Sequence, residues 1–163
     1  MADFTHLDNE GRVRMVDVTE KGHTDRTAIA QGIVEMNPET FKKIKDKKVK
    51  KGNVLETARI AGVMAAKKTP ELIPMCHPLC LTHIAVDFFL NESSSSITIE
   101  SSVRTMGPTG VEMEALTAAA VSALTIYDMC KSYDKAIKIT DIVLLEKSGG
   151  KSGHYKKAKN SGL

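Results

Sequence analysis

Four ionisable side chains stand near the ends of one apolar segment, Thr109 to Lys131 (TGVEMEALTAAAVSALTIYDMCK): Glu112 and Glu114 at its start, Asp128 and Lys131 at its finish. Three residues apart on a helix, Asp128 and Lys131 face each other and can share a proton or fix each other's charge. Acids in the first turn suit the positive end of the helix dipole, and Gly110 gives the chain freedom to turn into it. At about 100° per residue, Glu114, Thr117, Val121, Leu124, Asp128 and Lys131 fall along one stripe, beside an apolar face of Met113, Leu116, Ala120, Ala123 and Tyr127. A solvated stripe on an ordinary amphipathic helix would read the same way, so the rest of the chain must discriminate.

A second constellation is Met75-Cys76-His77-Pro78-Leu79-Cys80. Pro74 and Pro78 bracket Cys76 and His77 in a stiff, extended stretch that presents an imidazole from a backbone with few alternatives. As zinc ligands, Cys76, His77 and Cys80 lack the paired spacing and second ligand cluster of structural sites, so no metal site is expected. The structural alternative is a hydrogen-bonded core histidine with two core cysteines. Lys51 precedes Gly52 and a helix start, where a lysine and free backbone N–H groups could converge on an anion. The run Lys147-Ser148-Gly149-Gly150-Lys151-Ser152-Gly153 ends in Gly-Lys-Ser but is no nucleotide-triphosphate loop, because position 145 is Leu where that motif needs Gly. Its glycines and lysines could still fold over phosphates, or form a disordered basic terminus.

The elements that must position these groups are legible from periodicity. Residues 1–25 show no sustained period and read as a loose arm. Thr27 to Met36 alternates as a strand, Asn37-Pro38-Glu39 starts a short helix, and Asn53 with Glu56 caps a longer one, VLETARIAGVMAAKK. Thr69-Pro70 stops that helix, and ELIPMCHPLCL continues as an apolar loop. Thr82 to Leu90 and Ile97 to Thr105, joined at Ser93-Ser94-Ser95-Ser96, form a hairpin. The long helix and a last strand, Ala136 to Lys147, complete βαββαβ. That succession predicts an α+β, ferredoxin-like antiparallel sheet with its helices on one face, plus a flexible N-terminal arm and a basic Gly-rich tail over 148–163. Ile97, Ile99, Val103, Ile137, Ile139 and Ile142 are not all expected to face the helices, which leaves a sheet face for burial against another subunit.

One domain spanning 1–163 suits the length and the 42% hydrophobic content. Cys76, Cys80 and Cys130 are too few and odd in number for a disulfide framework and point to a reducing setting, the cytoplasm or an organelle reached by a signal not present here. No run approaches the roughly 18 apolar residues of a membrane helix, and the start lacks the order of a secretory signal. The net charge of +3 conceals a split: Lys42 to Lys51 carries +6, the tail from Lys147 carries +5, and the remainder is acidic. Such patches suit phosphates, nucleotides or nucleic acid, or are merely solvated. A nucleic-acid module on a ferredoxin-like sheet would need stacking aromatics, and the chain has only four Phe and three Tyr. A non-catalytic nucleotide-binding regulator remains the other alternative.

Three runs carry a resemblance: Thr57-Ala58-Arg59-Ile60-Ala61-Gly62; LIPMCHPL over Leu72 to Leu79; and GVEMEALTAAAVSALTIYDMCK over Gly110 to Lys131, followed by KSGGKSG. Together they resemble the cyclic pyranopterin monophosphate synthase family of molybdenum cofactor biosynthesis, over Met15 to Gly153. The chain departs from the family pattern in having Lys51-Gly52-Asn53 where Lys-Gly-Asp is common, and Met75 where Leu is frequent. The resemblance implies a lyase. It would rearrange a cyclic dihydro-GTP intermediate, made by an upstream radical enzyme, to cyclic pyranopterin monophosphate with release of pyrophosphate. It implies Asp128 and Lys131 as the principal catalytic pair, with Lys51 and His77 in support. Met75, Cys76, His77, Met113 and Glu114 would line the substrate site, and Arg26 and Lys147 would bind phosphates. It further implies a homohexamer, a trimer of dimers with sites between subunits, and no resident cofactor, with Mg²⁺ open as a companion of the substrate's phosphates.

Glu114 and Asp128 lie fourteen residues apart, roughly 21 Å along a helix. One compact pocket does not hold both from one chain. Each site is therefore expected to combine Asp128 and Lys131 of one subunit with Lys51, or with the His77 and Glu114 region, of another.

Overall fold

Ala28, Ala30 and Val34 are fully buried while Ile29, Gln31 and Ile33 between them are only half-buried, the period-two signature of a strand with one face on a core. The computed structural model describes residues 10–158, so the expectations for 1–9 and 159–163 lie outside the described residues. The alternating segment is β1 (Thr24–Glu35), which begins inside the expected N-terminal arm. Asn37 then caps α1 (Pro38–Lys45), accepting from the Thr40 amide at 2.7 Å, with Pro38 supplying the preset φ of a first helical turn. Asn53 caps α2 (Val54–Lys67) through the Glu56 amide at 3.3 Å.

Thr69-Pro70 ends α2 and starts a single further turn, α3 (Thr69–Leu72), which the sequence reading had assigned to loop. The hairpin strands are β2 (Leu81–Asn91) and β3 (Ser96–Gly107), and the long helix is α4 (Glu112–Cys130). It is followed by β4 (Lys138–Ser148) and by β5 (Tyr155–Lys156), two residues of the expected tail that add an edge strand. All neighbouring strands pair antiparallel in the order β2-β3-β1-β4-β5. The first four strands in that order, with α2 and α4 between them in sequence, give the ferredoxin-like α+β arrangement.

The core lies between the sheet and the two long helices. Gly62 permits their close approach: a Cβ there would stand 2.2 Å from Ser122 Oγ and 3.0 Å from the Ala118 carbonyl. Ser122 Oγ in turn donates to the Ala58 carbonyl of α2 at 3.0 Å. Register decides which isoleucines this core takes. Ile97, Ile99 and Val103 pair with Val34, Gly32 and Ala28, so all three face the helices, and Ile137 and Ile139 join the same core. Five of the six thus join the core, because a strand buries every second residue and Ile97, Ile99 and Val103 are all odd-numbered on one strand. Ile142, 41% exposed, is the one of the six outside it, so the expectation that they would not all be buried under the helices holds for that residue. The far face instead presents Ile29, Gln31 and Ile33 with their partners Ser102, Glu100 and Thr98.

Candidate active site

Two groups of candidate side chains gather at the two ends of α4. At the C-terminal end, Lys131 Nζ lies 2.7 Å from Asp128 Oδ1, the i,i+3 pairing that the spacing requires. Lys51, from the loop between α1 and α2, donates to the Asp128 main-chain carbonyl at 2.8 Å and stands 3.7 Å from Asp128 Oδ2. Of the two arrangements expected, Lys51 or the His77 and Glu114 region meeting the pair from another subunit, the first is already met within one chain: with Val49 buried in the same loop, Lys51 lies on α4 of its own chain. Asp128 is held below its ordinary pKa, first by the Lys131 hydrogen bond, then by the charges of both lysines. Lys131 is correspondingly raised by Asp128. All three side chains remain substantially exposed.

The other end of α4 is more enclosed. Glu114 is 3% exposed, and burial, followed by repulsion from Glu112, pushes its pKa up to about 7. Desolvation penalises the carboxylate, so Glu114 exchanges a proton near neutrality. Met75, Cys76, His77, Met113 and Glu114 line one cavity of about 270 Å³, together with Val16, Val18 and Lys21. His77 Nε2 lies 2.7 Å from the Val16 carbonyl, which can only accept, so Nε2 carries the proton and Nδ1 is left as the acceptor of the neutral ring. The reading of His77 between two core cysteines fails here, because Cys76 is half-buried and Cys80 exposed. Burial raises the Cys76 thiol, with Glu114 adding to the effect. Among the described residues no three His, Cys, Asp or Glu side chains gather as metal ligands would.

A larger cavity, about 720 Å³, adjoins the first through Lys21, Thr109, Gly110 and Glu112. Arg26 and Lys147 line it with Gly149, Gly150, Lys151 and Ser152 of the Gly-rich run. Arg26 donates from Nε to the Gly107 carbonyl at 3.0 Å and from Nη2 to the Pro108 carbonyl at 3.1 Å, fixing its guanidinium on the cavity wall. Lys147 Nζ meets Glu112 Oε1 at 2.7 Å. Gly149 has φ +97°, and a Cβ there would stand 2.1 Å from the Asp25 carbonyl, so only glycine lets the run turn across the strand end. The N-cap residue of α4, Val111, offers no side-chain cap, and Gly110 and Glu112 at the start of that helix line this cavity.

The sequence-level candidates therefore separate into Asp128, Lys131 and Lys51 at one end, and His77, Met75, Cys76, Met113, Glu114, Arg26 and Lys147 at the other. Lys21 and Glu112 were not assigned as site residues. Lys21 sat in a segment without periodicity, and Glu112 was visible only as an acid in a first helical turn.

The MoaC family is the family whose model matches residues 15–150 of the chain. The chain is 65% identical over 155 residues to the cyclic pyranopterin monophosphate synthase of Desulfatibacillum aliphaticivorans, covering 95% of this chain and 98% of that protein. It is 58% identical over 155 residues to the protein of the same name from Roseiflexus sp. (strain RS-1), with the same shares covered. The corresponding figure for that of Thermoanaerobacter pseudethanolicus is 52% over 155 residues, again with 95% and 98% covered.

Proposed function

The chain belongs to the MoaC family, and from that premise we propose that it is a lyase that forms cyclic pyranopterin monophosphate in molybdenum cofactor biosynthesis. Its substrate is a cyclic dihydro-GTP intermediate from an upstream radical enzyme, and pyrophosphate leaves. The observation that carries this reading is the 65% identity to a relative of that name over nearly the whole of both chains. The site chemistry is consistent with it.

Opening and reclosing a purine-derived ring moves protons on and off nitrogen and oxygen. Lys131, raised by Asp128, begins as an ammonium and serves as the acid of the pair. Burial would lower a lysine toward neutrality, and in the single chain the ion pair with Asp128 acts in the opposite direction. A partner subunit that buried the pair would change that balance. Glu114, near neutrality in its pKa, accepts from a ring N–H when ionised and donates when protonated. His77 offers Nδ1 as acceptor while the Val16 carbonyl holds its other nitrogen.

Expulsion of pyrophosphate builds negative charge on the leaving group, which converging cations and amides stabilise. Arg26, Lys147, Lys151 and the uncapped start of α4 supply both around the larger cavity. No resident cofactor is part of this mechanism, and Mg²⁺, if it enters, does so on the substrate's phosphates.

The active assembly in this reading is a cytoplasmic homohexamer, a trimer of dimers whose sites join the two ends of α4 from different subunits. Two features support it. The ends are about 21 Å apart in one chain, and Ile60, Met64 and Leu124 expose more than half of their surface on the outer helices. Among the described residues no helix is long and apolar enough to cross a membrane. Supplying the cyclic intermediate to the purified protein and assaying pyrophosphate tests the reaction directly. Release is expected, and its absence would overturn the assignment.

A further inference from the structure

Lys51 sits in a loop with little to hold it. Between α1 and α2, Val49 is buried at 5% exposure, the Lys48 amide donates to the Lys43 carbonyl at 2.8 Å, and the Gly52 amide donates to Val49 at 3.1 Å. Between those anchors the Lys50 amide donates to the Tyr133 hydroxyl at 3.2 Å. Tyr133 follows Lys131 by two residues in the turn that ends α4, where its own amide donates to the Cys130 carbonyl at 2.8 Å. Its ring packs against the main core and carries Lys43 Nζ 5.5 Å from its centroid.

We propose that Tyr133 is the positioning residue for Lys51, fastening the lysine loop to the same turn that carries Asp128 and Lys131. The ring is set by the core and the helix end, so its oxygen is a fixed acceptor. The amide it receives belongs to the residue immediately before Lys51, close enough to set the direction in which that side chain leaves the backbone. Lys51 can then reach the Asp128 carbonyl at 2.8 Å without the loop having to find that geometry each time. Tyr133 touches none of the reacting groups itself. Its contribution is to make Lys51, Asp128 and Lys131 one rigid set rather than a pair and a wandering cation.

Tyr133→Phe keeps the ring, its packing and its contact with Lys43, and deletes only the acceptor. Limited acylation of the native full-length protein, read lysine by lysine by mass spectrometry, reports on Lys51 without needing turnover. Labelling of Lys51 is expected to rise about fivefold, the worth of one hydrogen bond, while Lys45, paired with Glu92 elsewhere, stays at its wild-type rate. In the pyrophosphate assay kcat is expected to fall about fivefold with KM within about twofold, because only the placement of a catalytic cation has changed. Wild-type labelling of Lys51 overturns the proposal, as does a rise shared by Lys45, or an unchanged kcat for the variant of an active wild type. The kcat measurement rests on the reaction proposed above. A wild-type protein that releases no pyrophosphate defeats that reading and leaves the labelling to decide this one. Should Tyr133→Phe fail to fold, Lys50→Pro removes the donor instead and is held to the same labelling outcomes.

Discussion

Lys51 and Asp128, 77 residues apart in sequence, meet through a side-chain amine and a main-chain carbonyl at 2.8 Å, with the Asp128 carboxylate 3.7 Å away. Lys131 holds the other carboxylate oxygen at 2.7 Å. One aspartate at the last turn of α4 thus organises two ammonium groups from different parts of the chain, and that arrangement sets the first prediction.

Asp128→Asn should preserve shape while removing the charge that orders both lysines. Turnover is expected to fall by about a hundredfold or more, the scale of losing a positioned acid–base partner, with substrate affinity nearly unchanged. Pyrophosphate release and calorimetric binding, run on the same preparation, separate the two. A variant that turned over normally would remove Asp128 from the chemistry, and one that lost binding as well would make it a ligand.

Shared sites predict complementation. Asp128→Asn and His77→Ala chains, each inactive alone, are expected to regain part of the wild-type activity when unfolded, mixed and refolded together. Mixed oligomers that stay inactive would count against sites assembled from opposite ends of α4.

Glu114 predicts a pH dependence of stability. Its folded pKa of about 7 lies above the ordinary 4.5, so between those values the folded chain keeps a proton that the unfolded chain has released. Stability from this group is therefore full below pH 4.5 and is lost as pH rises through 7, by on the order of 3 kcal/mol at most. Glu114→Gln cannot titrate. Its melting temperature relative to wild type should climb steadily from pH 4.5 to 7.5, and a difference that did not move with pH would refute the burial argument.

Arg26→Ala and Lys147→Ala each remove a cation from the larger cavity. KM is expected to rise about tenfold with kcat less affected, if substrate phosphates occupy that cavity before the bond breaks. Raising ionic strength should weaken substrate binding to wild type more than to either variant. An unchanged KM in both would remove the phosphates from this cavity.

Gly62→Ala tests the fold rather than the reaction. The added methyl would press on Ser122 Oγ and the Ala118 carbonyl, forcing α2 away from α4 at an expected cost of about 1–3 kcal/mol. A thermal midpoint equal to wild type would show that the helices have room to spare.

Much of this architecture was written locally. Asn37-Pro38 and Asn53 with Glu56 announced two helix starts, and both caps form as expected. Alternation from Thr27, the serine turn and the long apolar helix gave the strands and α4 to within a few residues. The i,i+3 spacing of Asp128 and Lys131 was sufficient for their ion pair, because helical geometry alone brings them together. The resemblance pointed to the rest of the site by residue type, without saying where any of it would lie.

Tertiary structure decided what local rules do not encode. Strand register placed Ile97, Ile99 and Val103 on one face under the helices and left Ile142 outside the core, a division the sequence argument expected without saying where it would fall. Loop closure brought Lys51 to Asp128 within one chain, and folded Val16 over His77 from an arm with no periodicity at all. Two tail residues became a strand only because the edge of β4 was there to receive them. The sequence by itself determined which helices and strands form and which side chains can do chemistry, since those depend on neighbours a few residues away. Which of those side chains meet, which carboxylate loses its water and which face stays open depended on packing between distant segments, and only the folded chain decides that.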